Sequence, residues 1–415
     1  MQAEKIRAEA PADLTVRLEL VIVNADKKGA NPMGKLTHER RITLIVLLAA
    51  LAVFVLVRVI VAPEKEAPVT SGDYAEYENG KVLEVLSDST EADEAADGAF
   101  RGEQMMTVEV TTGQYKGETL LVTNTVGPLY GRPLQPGDGC TLIISTYTGG
   151  DVQATVYEYN RTLPLVIVVG LFLLVTVLVG GKTGAKSLVG LVFTVLSVFL
   201  LLFPALMKGA PTLLSTFLTA VYVAAVSFVI LGGVQKKTVC ALLGTVAGMA
   251  FALIFALIAQ GILRIDGLRG ADVEPLLQLR QTGTPLGLRG LLAAGVILSA
   301  LGAVMDVAMS LSSALSEVHD ADPALDQKAL FRSGMNIGRD MVGTMTNTLI
   351  LAFLGSGLIL TLYLYTLGLS AHQLLSSAYL SVEVMTAVAS SIGVILSVPL
   401  TALIDAWAYG GKSKA

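Results

Sequence analysis

The chain has only two cysteines, three histidines and one tryptophan in 415 residues, and only 15% of it is charged. Cys140 lies in a polar stretch and Cys240 at the start of an apolar one, so the pair gives neither a disulfide framework nor metal-ligand spacing. His38, His319 and His372 are too scattered to suggest a metal site, and no cofactor is expected. A soluble chain carries about a quarter charged residues. The shortage here, with 53% hydrophobic residues and a mean hydropathy of +0.66, points to a polytopic membrane protein whose first partner is the lipid bilayer. The formal charge of −5 is spread unevenly, and nucleic acid is not an expected partner.

Long apolar runs are what the chain does have. Residues 1–41 form a polar arm ending in "KLTHERR", and "ITLIVLLAALAVFVLVRVIVA" (42–62) is long enough to cross roughly 30 Å of hydrocarbon. It exceeds a secretory apolar region and lacks a clear small-x-small cleavage site, which predicts an uncleaved anchor. Residues 63–161 carry 17 acids against 6 bases. Short alternating runs, "KVLEVL", "MMTVEVTT", "ETLLVTN", "CTLIISTY" and "VQATVYEY", are separated by "GPLYGRPLQPGDG" and "TGGD". About five short strands predict a small all-β domain, barrel-like or a sandwich. The interruption "SDSTEADEAADG" lacks the spacing of an EF-hand and reads as a solvated acidic loop.

The remainder, 162–415, reads as a membrane domain of seven spans, near 163–180, 187–206, 212–232, 238–260, 290–315, 341–366 and 380–407. With the anchor this makes about eight, with the β domain between spans one and two. With the N-terminus cytoplasmic, cytoplasmic segments hold 17 bases and outer segments 11. "GGKTGAKS", "VQKKT" and "GGKSKA" all then fall inside, while 261–290 places four arginines outside. Both termini are therefore expected in the cytoplasm and 63–161 outside it. "GGKTGAKS" is no P-loop: Ala185 stands where glycine must precede Lys-Ser, and a membrane helix replaces the strand.

Charge inside the apolar runs marks the candidate site. Asp306, Ser310, Ser313 and Glu317 follow i, i+4, i+7, i+11 spacing, a single polar stripe on span six. Asn336, Asp340, Thr344 and Asn347 continue a second stripe into span seven, with Arg339 adjacent. A short connection makes these helices antiparallel neighbours, with Arg339 able to pair with Asp306, Glu317 or Asp340. Gly334, Gly338 and Gly343 would allow close approach or local unwinding. Hydrogen bonding between helices accounts for the threonines, whereas buried ionisable residues tend to line pathways. Glu383, near the outer end of span eight, is a secondary candidate, and Asp405, near its inner end, is expected to be solvated. No residue is assigned a catalytic role.

"GAVMDVAMSLSSALSEV" (302–318) and "SGMNIGRDMVGTMTNTLILAFLGSGL" (333–358) resemble the signature of the YibE/F family of bacterial integral membrane proteins. The resemblance covers roughly residues 160–410, and an outer domain after an N-terminal anchor is similar to the family's longer members. It implies a bacterial plasma-membrane protein and supplies no substrate, activity or catalytic residue. Because "MGKLTHERRITL" would be a natural beginning, residues 1–32 are expected to be an upstream extension.

Three functions follow. A permease or ion-coupled transporter for a small solute would use Asp306 as proton or cation site, Arg339 as its partner, and Asn336 and Asn347 to orient the solute. A non-transporting scaffold or sensor would bind an extracytoplasmic protein or envelope partner through the outer β domain. An intramembrane enzyme is the minor alternative, since Asp306 and Asp340 are two acids on adjacent helices without a protease context.

Overall fold

A computed structural model describes residues 38–61, 74–147, 152–266, 274–281, 283 and 285–410. The expected upstream extension, 1–32, lies outside them. The described residues of 62–189 form one compact unit, and those of 1–61 and 190–415 another.

In the first unit, β1 (Tyr74–Asp88) runs antiparallel to two strands at once. Its first half pairs with β5 (Gly139–Thr146) and its second half with β3 (Ala99–Val110). β3 continues to β4 (Thr119–Val126), β4 pairs in parallel with β6 (Val152–Tyr159), and β6 returns to β5. The ring closes as a five-stranded barrel, leaving no open edge among these strands. The five alternating runs of the sequence fall in these five strands. Val108 and Val110 on β3, Val122 on β4 and Leu142 and Ile144 on β5 point inward at a period of two.

Gly80 is where β1 passes from one partner to the other, facing both Val110 and Cys140. A Cβ there would lie 2.5 Å from Val108 and 3.0 Å from Leu142, so the tight bend needs glycine. Gln104 and Asn124 are buried polar residues that hydrogen-bond each other at 2.9 Å. Gln104 also accepts from the backbone N–H of Leu134, and Asn124 donates to the carbonyl of Arg132, which holds the β4–β5 loop to the barrel. The acidic interruption is more ordered than a solvated loop. Its centre forms β2 (Glu91–Asp93), paired with β3, and Asp93 both caps the next turn and meets Arg101 at 3.0 Å.

Six helical runs among the described residues are long and apolar enough to cross a membrane, or up to seven if one bent pair counts as a span. The first lies in α1 (His38–Val61). The second, Thr162–Met207, comprises α2 (Thr162–Ser197), a π turn and α3 (Phe203–Met207). Its 46 residues would extend roughly 70 Å if straight, over twice the hydrocarbon thickness. It is not straight: Gly181 is non-helical at φ 55°, and Gly184 lies against the carbonyl of Thr176, eight residues earlier. In a continuous helix those residues would be about 12 Å apart. The chain therefore turns back within "GGKTG".

The second unit is built on α4 (Thr212–Gly232), α5 (Lys236–Leu263), α7 (Leu291–Ala321), α8 (Gln327–Ser356) and α11 (Ala378–Tyr409), with a short α6 (Glu274–Gln281) between α5 and α7. α1 docks on α4 through the Tyr222 hydroxyl, which donates to the carbonyl of Ala50 at 2.7 Å. The centre is the antiparallel contact of α5 with α11. Gly244 faces Thr401, Gly248 faces Ser397 and Gly393, and Gly393 faces Ala252. Small residues at four-residue spacing let two backbones approach closely where hydrocarbon supplies no hydrophobic drive. Val304 of α7 fills the remaining space beside Gly248 and Gly393.

α8 differs from the expected span seven. It begins at Gln327, with Asp326 accepting from the N–H of Ala329 at 2.7 Å as its N-cap, and "FRSGMNIGRD" is helical. It is bent by 60° from α9 (Leu358–Thr366) at Gly357, and a short α10 (Ala371–Leu375) precedes α11.

Two outcomes follow. Cys140 is fully buried, and burial, with Asp138 nearby, pushes its thiol up to about 12. The thiolate is the reactive form. We expect alkylation of Cys140 in mildly alkaline buffer to be more than about a hundredfold slower than that of an exposed cysteine, and to become fast once the barrel unfolds. Gly248→Leu should overpack the α5–α11 contact, since a Cβ there would lie 2.8 Å from Ser397 and 2.9 Å from Val304. A loss of at least about 1–3 kcal/mol is expected, read as a lower melting temperature of the purified protein.

Candidate functional site

α7 separates its residues by face. Val304, Val307, Ala308, Leu311, Ser312 and Leu315 are buried, while Asp306, Ser310 and Glu317 are exposed and Ser313 is half-buried. The predicted stripe therefore exists as one face, and it is turned out of the packed core. The second stripe behaves alike. On α8, Asn336, Arg339, Asp340 and Asn347 are exposed, while Gly334 and Gly338 face α11. Gly334 meets Ala402 and Gly338 meets Val398, which fulfils the close approach expected of these glycines, whereas Gly343 faces open space.

The expected charge pairing is not made. The two ion pairs found among the described residues are Arg101–Asp93 and Arg161–Glu158, and neither involves Arg339, Asp306, Glu317 or Asp340. The reason is geometric. The glycine face of α8 turns toward α11, and its polar face, on the far side, is left uncovered. Glu383 on α11 is half-buried, and its carboxyl carbon lies 3.7 Å from the Cβ position of Gly357, at the break between α8 and α9. An acid at the start of α9 complements the positive end of its dipole.

Asp405 corrects the sequence reading. It is fully buried, not solvated. The Ser312 hydroxyl of α7 donates to its Oδ2 at 2.6 Å, while its Oδ1 has no hydrogen-bond partner. Ser312 is itself fully buried, and the Cys240 thiol of α5 is turned to the same carboxylate. Three helices thus converge on one acid at one end of the bundle. The sequence did carry a signal: Ser397, Thr401 and Asp405 repeat at four-residue spacing, as the Asp306 stripe does. Beside this group an open groove of about 1140 Å³ is lined by Lys236, Cys240, Gln327, Lys328, Phe331 and Trp407. Among the described residues no group of three or more His, Cys, Asp or Glu could hold a metal ion.

No curated protein and no solved structure matches the chain. A family model described as "YibE/F-like protein" matches residues 168–411, the membrane domain that holds both polar stripes and Asp405. With its several long apolar helices, the chain is a multi-pass membrane protein of the YibE/F family.

Proposed function

We propose that the protein is a permease or ion-coupled transporter for a small solute in the bacterial plasma membrane. The observation that supports it is the uncovered polar face of α7 and α8. Asp306, Asp340 and Arg339 lie on helices joined by a short turn, outside the packed core. A charge at the centre of the bilayer costs about 2.5–3.5 kcal/mol on insertion scales. In this reading water reaches these faces and removes that cost, and a wet path lined by Ser310, Asn336 and Asn347 suits a small polar solute. In this scheme Thr162–Met207 and α8–α9 each contain the crossings that bring the total to eight. Both termini are cytoplasmic and the β barrel is outside.

A scaffold or sensor remains the second reading, for one reason. The tip of the turn after β4 exposes Leu129 at 95% and Tyr130 at 62%, an apolar point on an acidic domain that suits an envelope partner.

Single cysteines at Ser310, Ser313 and Asn347 are expected to react with a membrane-impermeant thiol reagent, and cysteines in 319–330 only after permeabilisation. Asp306→Asn should keep the melting temperature while abolishing coupled flux in proteoliposomes screened with a panel of ions and solutes. Unreactive stripe cysteines, or full activity in Asp306→Asn, would remove the path. External labelling of 319–330 would overturn the topology.

A further inference from the structure

We propose that Asp405 is a proton-binding site of the membrane domain, distinct from the exposed stripes and independent of whether they carry a solute. Its carboxyl is sealed between α5, α7 and α11 with no accessible surface. A charge in such a place needs a paired cation or a full set of donors. Neither is present. Among the described residues no ion pair includes Asp405; its donors are the Ser312 hydroxyl on Oδ2 and the Cys240 thiol turned to the carboxylate, and Oδ1 is left without a hydrogen bond. With Oδ1 buried and without a donor, the fold does not compensate a full negative charge there, and adding a proton to Oδ1 removes that charge.

The groups around it do not supply the missing charge. On α5 these are Cys240 and, a turn away, Lys236, which lies over the Tyr409 ring at 5.9 Å. On α7 they are Asp320 and His319, whose ring is 5.3 Å from that of Tyr409. Lys328 on α8 lines the neighbouring groove, and Tyr409 follows Asp405 by one turn on its own helix. A metal cation fits less well, because the oxygens brought together here are one carboxylate and the Ser312 hydroxyl, too few for a hard ion.

The step is a simple exchange. A proton from water adds to Oδ1, one O–H bond forms, and the side chain goes from charge −1 to neutral. Release reverses it. Cys240 connects the two environments, since it lines the open groove and faces the carboxylate. Ser312 is a positioning residue that fixes the rotamer of Asp405.

Infrared difference spectroscopy of the full chain in lipid nanodiscs, titrated from mildly acidic to mildly alkaline buffer, tests the assignment. A protonated-carboxyl C=O band should fade as pH rises, be lost in Asp405→Asn, and shift in frequency in Ser312→Ala. It should be indifferent to replacing potassium by sodium at fixed pH. Absence of a band in the wild type, its persistence in Asp405→Asn, or its loss on adding sodium would overturn the proposal. If Asp405→Asn does not fold, an unshifted band in Ser312→Ala would do so.

Discussion

The membrane unit depends on the contact between α5 and α11. Gly244, Gly248 and Ala252 against Thr401, Ser397 and Gly393 bring two backbones together without bulky side chains between them. In lipid, where burying leucine gains little over leaving it in hydrocarbon, this proximity is what van der Waals packing and short polar contacts can use. The same register carries Cys240 opposite Asp405 at its end. α7 then has one place to go, with Val304 seated at the glycines and Ser312 reaching the acid. A bulky residue at Gly248 would therefore disturb the Asp405 group two turns away, as well as the helix pair.

α8 takes its place by the same means. Gly334 and Gly338 set its inner face against Ala402 and Val398 of α11. Fixing that face fixes the opposite one, which is how Asn336, Asp340 and Asn347 come to lie outside the core. The polar stripe of α8 is thus a consequence of where its glycines are. The bend at Gly357, with Glu383 beside it, ends this helix at a point where an acid can meet the start of α9.

Much of this was legible in the residues. Short alternating runs separated by turn signals identified the five barrel strands, because a half-buried strand tends to repeat at two. The turn at "GGKTG" could be placed because its glycines and lysines interrupt the apolar run as a short basic turn does. The extent of α8 was not legible: Asn336 and Asp340 already fit helical spacing, but "FRSGMNIGRD" is too polar for a membrane span, so the span reads from 341, whereas its glycines pack on α11 and its polar residues need no cover from the chain. Spacing also showed which residues share the Asp306 face. It could not show which neighbour that face meets, so the Arg339 pairing was misplaced. Asp405 was missed for a different reason. Its closeness to the helix end suggested water, whereas its alignment with Thr401 and Ser397 put it on the packed face.

The two acids show why position along a helix is a weaker guide than position around it. Asp306 lies deep in an apolar run and is exposed, and Asp405 lies near a helix end and is sealed. An exposed acid on a membrane helix can be relieved by water or by a partner with no change in its own charge. A sealed acid has no such recourse, and must be neutralised by what the fold places around it. Here the fold places one serine hydroxyl on one oxygen and leaves the other open. The group with fewer ways to remain charged is the one whose charge the fold itself controls, and it sits where three helices meet. A change of protonation at Asp405 would act on the Ser312 contact, and through it on the position of α7 against α11.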